Sequence, residues 1–336
     1  MNVLVTGGTG YIGSHTCLAM LDAGYTPVIY DNLSNSSIKV LDQLSKISSH
    51  TFDFIEGDIA DSKKLKATFE QYNIEAVFHF ASLKAVGEST EQPLSYYRNN
   101  VAGTVTLLET MQSCGINKII FSSSATVYGD PQYLPIDEQH PITATNPYGW
   151  TKVMVEQILV DWCKTDYQHL AIALRYFNPV GAHPSGLLGE SPNGIPNNLM
   201  PFIAQTAVGK REFVSIFGND YNTKDGTGVR DYIHITDLAA GHVAAFSTHQ
   251  NDSGSLVYNL GTGKGYSVLE IINAFSESAN IEIKYKFAPR RAGDIASNFA
   301  DASLAKKNLG WTAQLNIEAM TDDTWHWQSK YPNGLE

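Results

Sequence analysis

The sequence predicts an α/β protein, in which a doubly wound parallel sheet is followed by a smaller, loop-rich C-terminal domain. Two observations predict the sheet. Short apolar runs alternate with stretches whose apolar residues recur at helical spacing, which is typical of buried parallel strands covered by helices on both faces. A glycine-rich turn at residues 6–13 also separates the first apolar run from the first helical stretch.

The predicted strands are short and apolar, and they occupy, in chain order, residues 3–5, 27–30, 52–56, 76–80, 118–122 and 170–176. Amphipathic segments lie between them, and Ile12, Thr16 and Ala19, for example, share one helical face. This alternation predicts right-handed crossovers between parallel strands.

The pattern changes after Phe177. Residues 178–230 are rich in glycine, proline and asparagine, whereas residues 231–262 regain a helical pattern, with Asp237 as a candidate N-cap and a strand over 256–260. We therefore predict a cofactor-binding domain over 1–177, to which 231–262 returns, and a substrate domain over 178–336.

Composition narrows the class of protein. The 336-residue chain is 43% hydrophobic and 17% charged, which is ordinary for a globular protein, and its net charge of -11 argues against nucleic acid and anionic membranes as partners. Cys17, Cys114 and Cys163 are widely spaced, so we expect no metal clamp, no disulfide framework and a reducing compartment. The chain opens directly with a strand and has no apolar run that could cross a bilayer, so we expect a cytoplasmic protein.

The glycine turn predicts a phosphate-binding site. Gly7 permits a tight turn, Gly10 lets the backbone approach a pyrophosphate, and Gly13 allows a helix to pack closely on a strand. The spacing is GxxGxxG rather than the common GxGxxG, and by itself it is also compatible with a simple tight turn. The preceding strand and the following helix favour a dinucleotide site.

An acidic residue at the end of the second strand predicts which dinucleotide binds. Asp31 lies 18 residues after Gly13, where a carboxylate can bind both ribose hydroxyls of an adenosine. The same carboxylate repels a 2′-phosphate, so NAD is favoured over NADP. The alternative is that Asp31 caps a turn together with Asn32 and Asn35.

Tyr148 and Lys152 predict a proton-transfer site. They are four residues apart and therefore neighbours on one helical face, and Ser124 ends a serine cluster that follows a predicted strand. A free tyrosine has a pKa of about 10 and is a poor base at neutral pH. We expect the Lys152 ammonium, helped by the positive nicotinamide ring, to lower the pKa of Tyr148, and Ser124 to share the proton. The alternatives are that residues 122–124 are simply a polar strand end and that Lys152 lies on a solvated helix face.

These motifs, together with Phe80-Ala81-Ser82-Leu83-Lys84 and the segments 122–129, 175–184 and 290–294, resemble the extended short-chain dehydrogenase/reductase family, whose fold is of the Rossmann type. Within that family the resemblance is greatest to the branch that acts on carbon 4 of UDP-hexoses. It implies reversible epimerisation of UDP-galactose and UDP-glucose through a transient 4-keto intermediate, with tightly bound NAD. It also implies a homodimer that packs the segments around Val101 and Val153.

The resemblance further implies the contact residues. Those for the cofactor are Gly7, Gly10, Tyr11, Ile12, Gly13, Asp31, Asn32, Asn35, Ser36, Asp58, Ile59, Phe80, Ala81, Lys84, Asn99, Ser122, Tyr148, Lys152 and Phe177. Those for the UDP-sugar are Lys84, Ser124, Tyr148, Asn178, Asn198, Leu199, Ser215, Ile216, Phe217, Arg230, Arg291, Asp294 and Asn298. In this family a tyrosine at the position of Asn298 goes with enzymes limited to glucose and galactose, so the smaller asparagine implies room for an N-acetylated sugar.

Three other functions remain open. One is another NAD-dependent nucleotide-sugar epimerase of the same fold. Another is a nucleotide-sugar 4,6-dehydratase, but that subfamily carries an Asp-Glu pair just after the catalytic hydroxyl, where this chain has Ala125 and Thr126. The last is a non-catalytic, NAD-sensing regulator, but such proteins typically lack the tyrosine and lysine that are intact here.

Overall fold

A seven-stranded parallel sheet forms the centre of the computed structural model, which describes residues 1–191, 194, 196, 198–291 and 294–335. The strands of the described residues are β1 (Asn2–Thr6), β2 (Thr26–Asp31), β3 (Asp53–Glu56), β4 (Ala76–His79), β5 (Lys118–Ser122), β6 (Leu170–Tyr176), β7 (Asn178–Val180), β8 (Val214–Phe217), β9 (Val229–His234), β10 (Gly254–Leu260), β11 (Gly265–Ser267), β12 (Tyr285–Ala288) and β13 (Ser297–Asn298). The order across the large sheet is β10-β6-β5-β4-β1-β2-β3. The predicted fold class is confirmed.

Helices cover both faces of this sheet. The helices of the described residues are α1 (Tyr11–Asp22), α2 (Val40–Ser48), α3 (Ser62–Tyr72), α4 (Val86–Glu91), α5 (Pro93–Tyr96), α6 (Gly103–Ser113), α7 (Pro147–Thr165), α8 (Leu199–Ala207), α9 (Ile235–His249), α10 (Val268–Ala279), α11 (Ser303–Leu309) and α12 (Ile317–Lys330). A π-helical turn at Tyr97–Ala102 leads into α6, and a short 3₁₀ helix covers Ala125–Tyr128. Among the described residues, no helix is both long and apolar enough to span a bilayer.

Alternation along the strands builds two separate cores. Val3 and Val5 of β1 belong to one core with Met20 of α1, whereas Leu4 belongs to the other, with Leu159 of α7. Successive side chains of a strand point to opposite faces, so a strand that is apolar at every position is buried on both sides. This is why the apolar runs in the sequence were sufficient to predict the strands.

The strand order determines where a ligand can bind. The chain winds outward from β1 through β2 to β3, and then outward from β4 in the other direction. The crevice between β1 and β4 is therefore a topological switch point, and ligands of open parallel sheets bind at the carboxyl ends of the strands beside such a point.

The chain leaves the large sheet after β6 and returns to it as β10, which pairs with β6 in parallel register. The intervening and following residues build two smaller sheets, one in which β9 pairs with β7, β11 and β13, and one of β12 with β8. A third core, with Ile203 of α8, Ile216 of β8 and Phe275 of α10, lies among these elements. The division at residues 177 and 178 stays a prediction.

The prediction that Asp237 caps a helix is wrong. Helix α9 begins at Ile235, and the side chain of His234 accepts the hydrogen bond from the Thr236 amide at 3.1 Å. Asp237 lies in the first turn, where its carboxylate accepts hydrogen bonds from the amides of Gln314 and Leu315. A histidine cap was not expected because serine, threonine, aspartate and asparagine are the common N-caps.

Candidate active site

The glycine turn after β1 has no room for side chains. Gly7 adopts a φ of +71°, and a Cβ there would lie 2.8 Å from the Ala81 amide nitrogen. A Cβ at Gly13 would lie 2.3 Å from the Gly7 carbonyl oxygen. Helix α1 therefore begins against the turn itself, as the sequence predicts for these glycines.

The start of α1 also suits an anion. Gly10 is the N-cap, and among the described residues no side chain caps the helix and no acidic residue lies in its first turn. The amide groups of that turn have no partner within the helix, and the helix dipole adds partial positive charge there. The turn can therefore hold a pyrophosphate.

Asp31 connects the glycine turn to the loop after β2. Its Oδ2 accepts a hydrogen bond from the Thr9 amide at 3.1 Å, and its Oδ1 accepts from the Leu33 amide at 2.9 Å and from Ser36 Oγ at 3.1 Å. The carboxylate thus caps its own loop, as the alternative interpretation required. It also lies at the carboxyl end of β2 against the glycine turn, as a ribose-binding residue requires.

The other predicted cofactor residues lie at neighbouring strand ends. Asn32 donates to Asp58 Oδ2 at 2.9 Å, which joins the ends of β2 and β3. Tyr11 donates from its hydroxyl to the Gly181 carbonyl at 2.7 Å, and the Lys84 ammonium lies 3.0 Å from Glu190 Oε1. The remaining ones are Ile12 in α1, the exposed Asn35, the buried Ile59, Phe80 and Ala81 after β4, Asn99 in the π-helical turn, Ser122 at the end of β5, and the buried Phe177.

Helix α7 brings Tyr148 and Lys152 to the end of β5. Its N-cap is Asn146, whose Oδ1 accepts a hydrogen bond from the Gly149 amide at 2.8 Å. The Lys152 ammonium donates to the Ser122 carbonyl at 2.7 Å and to Ser82 Oγ at 3.0 Å. It also lies 5.6 Å from the centre of the Tyr148 ring.

Ser124 is the third member of this cluster. It is the N-cap of the short 3₁₀ helix, and its Oγ accepts hydrogen bonds from the amide and the hydroxyl of Thr126. A hydrogen bond between Ser124 and Tyr148 also lowers the pKa of that phenol. The three predicted catalytic side chains therefore lie together, at the carboxyl end of β5.

Taken together, the protein's own groups do not lower the pKa of Tyr148. Burial raises the pKa of Tyr148, and the hydrogen bond with Ser124 offsets this only in part. Burial also lowers the pKa of Lys152 to about 7, although Glu156 raises it. For both side chains, the free energy lost by moving the charged form out of water exceeds the stabilisation that neighbouring charges and hydrogen bonds give to that form. The spacing of Tyr148 and Lys152 in the sequence does not reveal this loss.

Apart from Lys84, Ser124 and Tyr148, the predicted substrate residues lie on the elements that follow β6. Arg291 donates from Nε to Asp294 Oδ2 at 2.9 Å, and its guanidinium lies 4.7 Å from the centre of the Phe217 ring. Arg230 of β9 pairs with Asn298 of β13, and the Oδ1 of Asn298 is buried with no hydrogen-bond partner among the described residues. The others are Asn178 on β7, Asn198 and Leu199 at the start of α8, and Ser215 and Ile216 on β8.

Three residues at the site were missed. Glu190 accepts hydrogen bonds from Lys84 and from Asn198 Nδ2, and so it links a predicted cofactor residue to a predicted substrate residue. Glu156 and Arg175 form a buried ion pair behind Lys152. The one available signal was the spacing of Glu156, four residues after Lys152 on the same helix.

Among the described residues, no group of three or more histidine, cysteine, aspartate or glutamate side chains could hold a metal ion.

A glycine turn after the first strand of a parallel sheet, with serine, tyrosine and lysine at the end of another strand, defines a protein of the short-chain dehydrogenase/reductase class.

Comparison with known proteins is more specific. A family model described as GDP-mannose 4,6 dehydratase matches residues 4–324. UDP-glucose 4-epimerase from Dictyostelium discoideum is 57% identical over 99% of this chain and 97% of its own length. The one from Bacillus subtilis is 57% identical over 100% of this chain and 99% of its own length. The crystal structure of UDP-glucose 4-epimerase from Bifidobacterium longum in complex with NAD+ and UDP superposes with a TM-score of 0.97, at 50% identity over 100% of both chains. The chain therefore belongs to the UDP-glucose 4-epimerase family.

The glycine turn makes a stability prediction. We expect Gly13→Ala to destabilise the protein by about 1–3 kcal/mol, because the new methyl group can be placed only if α1 moves away from Gly7. Gly87→Ala is the matched control, since a Cβ at this helical glycine meets no atom within 4 Å. Urea unfolding of both variants measures the difference. Equal midpoints would show that α1 does not depend on the close approach at Gly13.

Proposed function

We propose that this protein catalyses the reversible epimerisation of UDP-galactose and UDP-glucose at carbon 4 of the hexose, with NAD as a tightly bound cofactor. The observation that carries the proposal is the meeting of Ser124, Tyr148 and Lys152 at the end of β5, in the same sheet edge as the glycine turn. The full-length identity to UDP-glucose 4-epimerases and the likeness to a complex with NAD+ and UDP support it.

The residues at the edge of the sheet fit NAD. Gly7, Gly10 and Gly13 form the cradle that a Cβ would fill, and the start of α1 offers free amides to the pyrophosphate. Asp31 would bind the adenosine ribose, and Lys84 would bind a phosphate or ribose oxygen nearer the reacting carbon. When bound, NAD supplies one kind of chemistry, the reversible uptake of a hydride from carbon 4.

Tyr148 and Ser124 would handle the proton. Tyr148, as its phenolate, accepts the proton of the 4-hydroxyl while the carbon–oxygen bond becomes a ketone, and it returns the proton when the alcohol re-forms. Ser124 donates to the same sugar oxygen. Because burial raises the pKa of Tyr148, the phenolate needs positive charge nearby, and Lys152 supplies it while it is protonated.

The dehydratase alternative is disfavoured by the residues that follow Ser124. Elimination of water needs an acid and a base beside the sugar, and the chain has Ala125 and Thr126 there. The hydroxyl of Thr126 is already engaged with Ser124 Oγ at 3.0 Å. A non-catalytic regulator is disfavoured because the buried tyrosine and lysine are costly to maintain without a chemical role.

The experiment that tests the proposal is Tyr148→Phe. We expect the turnover number for UDP-galactose to fall by at least about a hundred-fold, because the ring keeps its packing and loses only the transferable proton. UDP binding, measured by isothermal titration, should stay close to wild type. Near-normal turnover would mean that another group is the base, and a wild-type protein that does not interconvert the two sugars would refute the proposed function.

Arg230→Ala and Arg291→Ala, made separately, should have the opposite effect to Tyr148→Phe: weaker UDP binding with turnover preserved. We propose that Arg230 and Arg291 bind the diphosphate and that Asp294, Phe217 and Asn198 lie around the uridine. Loss of one charge-assisted contact should weaken UDP binding by about 1.5–3 kcal/mol and leave turnover at saturation largely unchanged. Unchanged UDP affinity in both arginine variants would mean that Arg230 and Arg291 are ordinary surface charges that do not bind the diphosphate.

We also propose that the hexose pocket admits N-acetylated sugars. Asn298 is much smaller than a tyrosine, and its buried Oδ1 has no partner among the described residues. This oxygen can accept a hydrogen bond from the N–H of an acetamido group.

We therefore expect measurable epimerisation of UDP-N-acetylgalactosamine, and we expect Asn298→Tyr to remove it while sparing UDP-galactose. Steady-state assays with both sugars measure the two activities. Absence of the N-acetyl activity in the wild type, or an equal loss of both activities in the variant, would contradict this.

We further propose that the protein is a homodimer that forms through α7 and the segment before α6. Three large apolar side chains of this region are exposed: Leu94, Trp150 and Met154, with exposed fractions of 75%, 41% and 40%. Apolar side chains grouped on neighbouring elements mark association surfaces. The three free cysteines support a reducing location, which we propose to be the cytoplasm.

The double variant Trp150→Lys/Met154→Lys should sediment as a monomer, because each substitution places a charge in the proposed interface. Tyr167→Lys is the matched control, since Tyr167 is 84% exposed just beyond the end of α7. Analytical ultracentrifugation distinguishes the states. A monomeric wild type, or a double variant that still sediments as a dimer, would exclude this interface.

A further inference from the structure

A buried ion pair lies directly behind the catalytic lysine. Glu156 of α7 and Arg175 of β6 make a bidentate contact, with Arg175 Nη2 2.6 Å from Glu156 Oε2 and Nε 3.0 Å from Oε1. The side chains are only 13% and 8% exposed. Glu156 follows Lys152 by one helical turn, so the pair lies on the catalytic face of α7.

The carboxylate of Glu156 also binds the strand end that carries the catalytic serine. Ser123 donates from its hydroxyl to Glu156 Oε1. Ser123 lies between Ser122, whose carbonyl accepts a hydrogen bond from Lys152, and Ser124, whose side chain lowers the pKa of Tyr148. One carboxylate therefore joins α7, β6 and the end of β5.

The Arg175 guanidinium also has hydrogen-bond partners other than Glu156. Arg175 Nη1 donates to the Tyr128 hydroxyl at 3.1 Å, and that hydroxyl donates to Asn259 Oδ1 at 2.6 Å. Asn259 in turn donates from Nδ2 to the Ile136 carbonyl, and the Ile136 amide donates to the Phe299 carbonyl. The network thus extends from the catalytic helix to the residue that follows Asn298.

Stability alone is a weak reason for such a pair. Burying two charges costs about as much as their attraction returns, and well-packed apolar residues in the same place are often equally stable or better. The pair therefore calls for a role that apolar side chains could not fill.

We propose that Glu156, held by Arg175, is a positioning residue that fixes Lys152 and residues 122–124 relative to each other for proton transfer. The inference rests on the proposed function. Its physical basis is twofold: the Ser123 contact fixes the strand end, and the negative charge of Glu156 favours the ammonium form of Lys152, which burial disfavours.

The groups around Lys152 and Glu156 determine in which direction loss of Glu156 shifts the pKa of Lys152. Lys152 faces Tyr148 and Glu156 of α7, His79 of β4, Ser82 after β4, and Phe121 and Ser122 of β5. Glu156 faces Lys152, Arg175, Ser123 and Tyr128. Since His79 is held neutral by burial, Glu156 is the one group among these that raises the pKa of Lys152.

The test is Glu156→Gln, which keeps the shape and removes the charge. We expect the turnover number to fall by roughly ten- to a hundred-fold with UDP affinity little changed, as for a small misplacement of catalytic groups. Without Glu156 the ammonium of Lys152 is lost at a lower pH, so the descending, alkaline limb of the turnover profile should move to lower pH. Unchanged turnover and an unchanged alkaline limb in a folded variant would overturn the proposal.

A second readout does not depend on turnover. Lysine side chains labelled with carbon-13 report their own titration by NMR, and the Lys152 signal is the one that Lys152→Met removes. Its titration midpoint should move to lower pH in Glu156→Gln. If the wild type does not epimerise UDP-hexoses, the proposed function fails, but this midpoint still tests the role of Glu156.

Two further variants separate positioning from folding. Asp161→Asn removes an exposed carboxylate from the same helix, where it pairs with Lys164 and accepts a hydrogen bond from Gln157, and it should leave turnover and the Lys152 midpoint unchanged. The double variant Glu156→Met/Arg175→Met should fold even if Glu156→Gln does not, because an apolar pair replaces the ion pair. It should nevertheless keep the low turnover and the shifted midpoint. Recovery of wild-type values in the double variant would reduce the pair to a structural role.

Discussion

The burial of the Lys152 ammonium is the interaction on which the rest of the site depends. A lysine with 1% of its surface exposed can keep its charge only if its donors are satisfied, and here the Ser122 carbonyl and Ser82 Oγ satisfy two of them. Those bonds fix α7 against the ends of β4 and β5. The position of Tyr148, one turn earlier on the same helix, follows from this attachment.

The same attachment explains why the reacting groups need the whole sheet. Ser122 is the last residue of β5, and its neighbours in the sheet are β4, whose following loop supplies Ser82, and β6, which supplies Arg175. Each strand therefore contributes one group at its carboxyl end. A one-residue change in the register of β6 would turn the Arg175 side chain to the opposite face of the sheet. Precision at the site comes from the parallel sheet rather than from the loops.

The elements of this sheet could be predicted from the sequence because its parallel strands contain short runs of consecutive apolar residues. Strands β5 and β6 have the predicted bounds, 118–122 and 170–176. The glycines of the turn could also be assigned, since a φ of +71° at Gly7 and the lack of room at Gly13 are properties of glycine itself.

What could not be predicted depends on distances between residues far apart in sequence. Glu190 and Arg175 carry no local signal, and they matter because of contacts with Lys84 and Glu156. The rise in the Tyr148 pKa that burial causes could not be predicted, for a related reason. Spacing on a helix gives the distance to Lys152, but the cost of burial depends on everything that surrounds the phenol.

Rigidity is distributed unevenly over the site, and this distribution suits the proposed reaction. Lys152 and Arg175 are buried and bonded to two or more elements, whereas the Arg291 side chain is exposed and pairs with Asp294 three residues away. Proton transfer at carbon 4 requires fixed geometry, because a shift of about 1 Å at the reacting atoms costs about a hundred-fold in rate. Epimerisation also requires the sugar to present both faces to the same groups, so the hexose itself cannot be held as tightly. We propose that a diphosphate held by Arg230 and Arg291 anchors the substrate at a distance from the reacting carbon, which would leave the ring free to turn in front of the buried Tyr148 and Lys152.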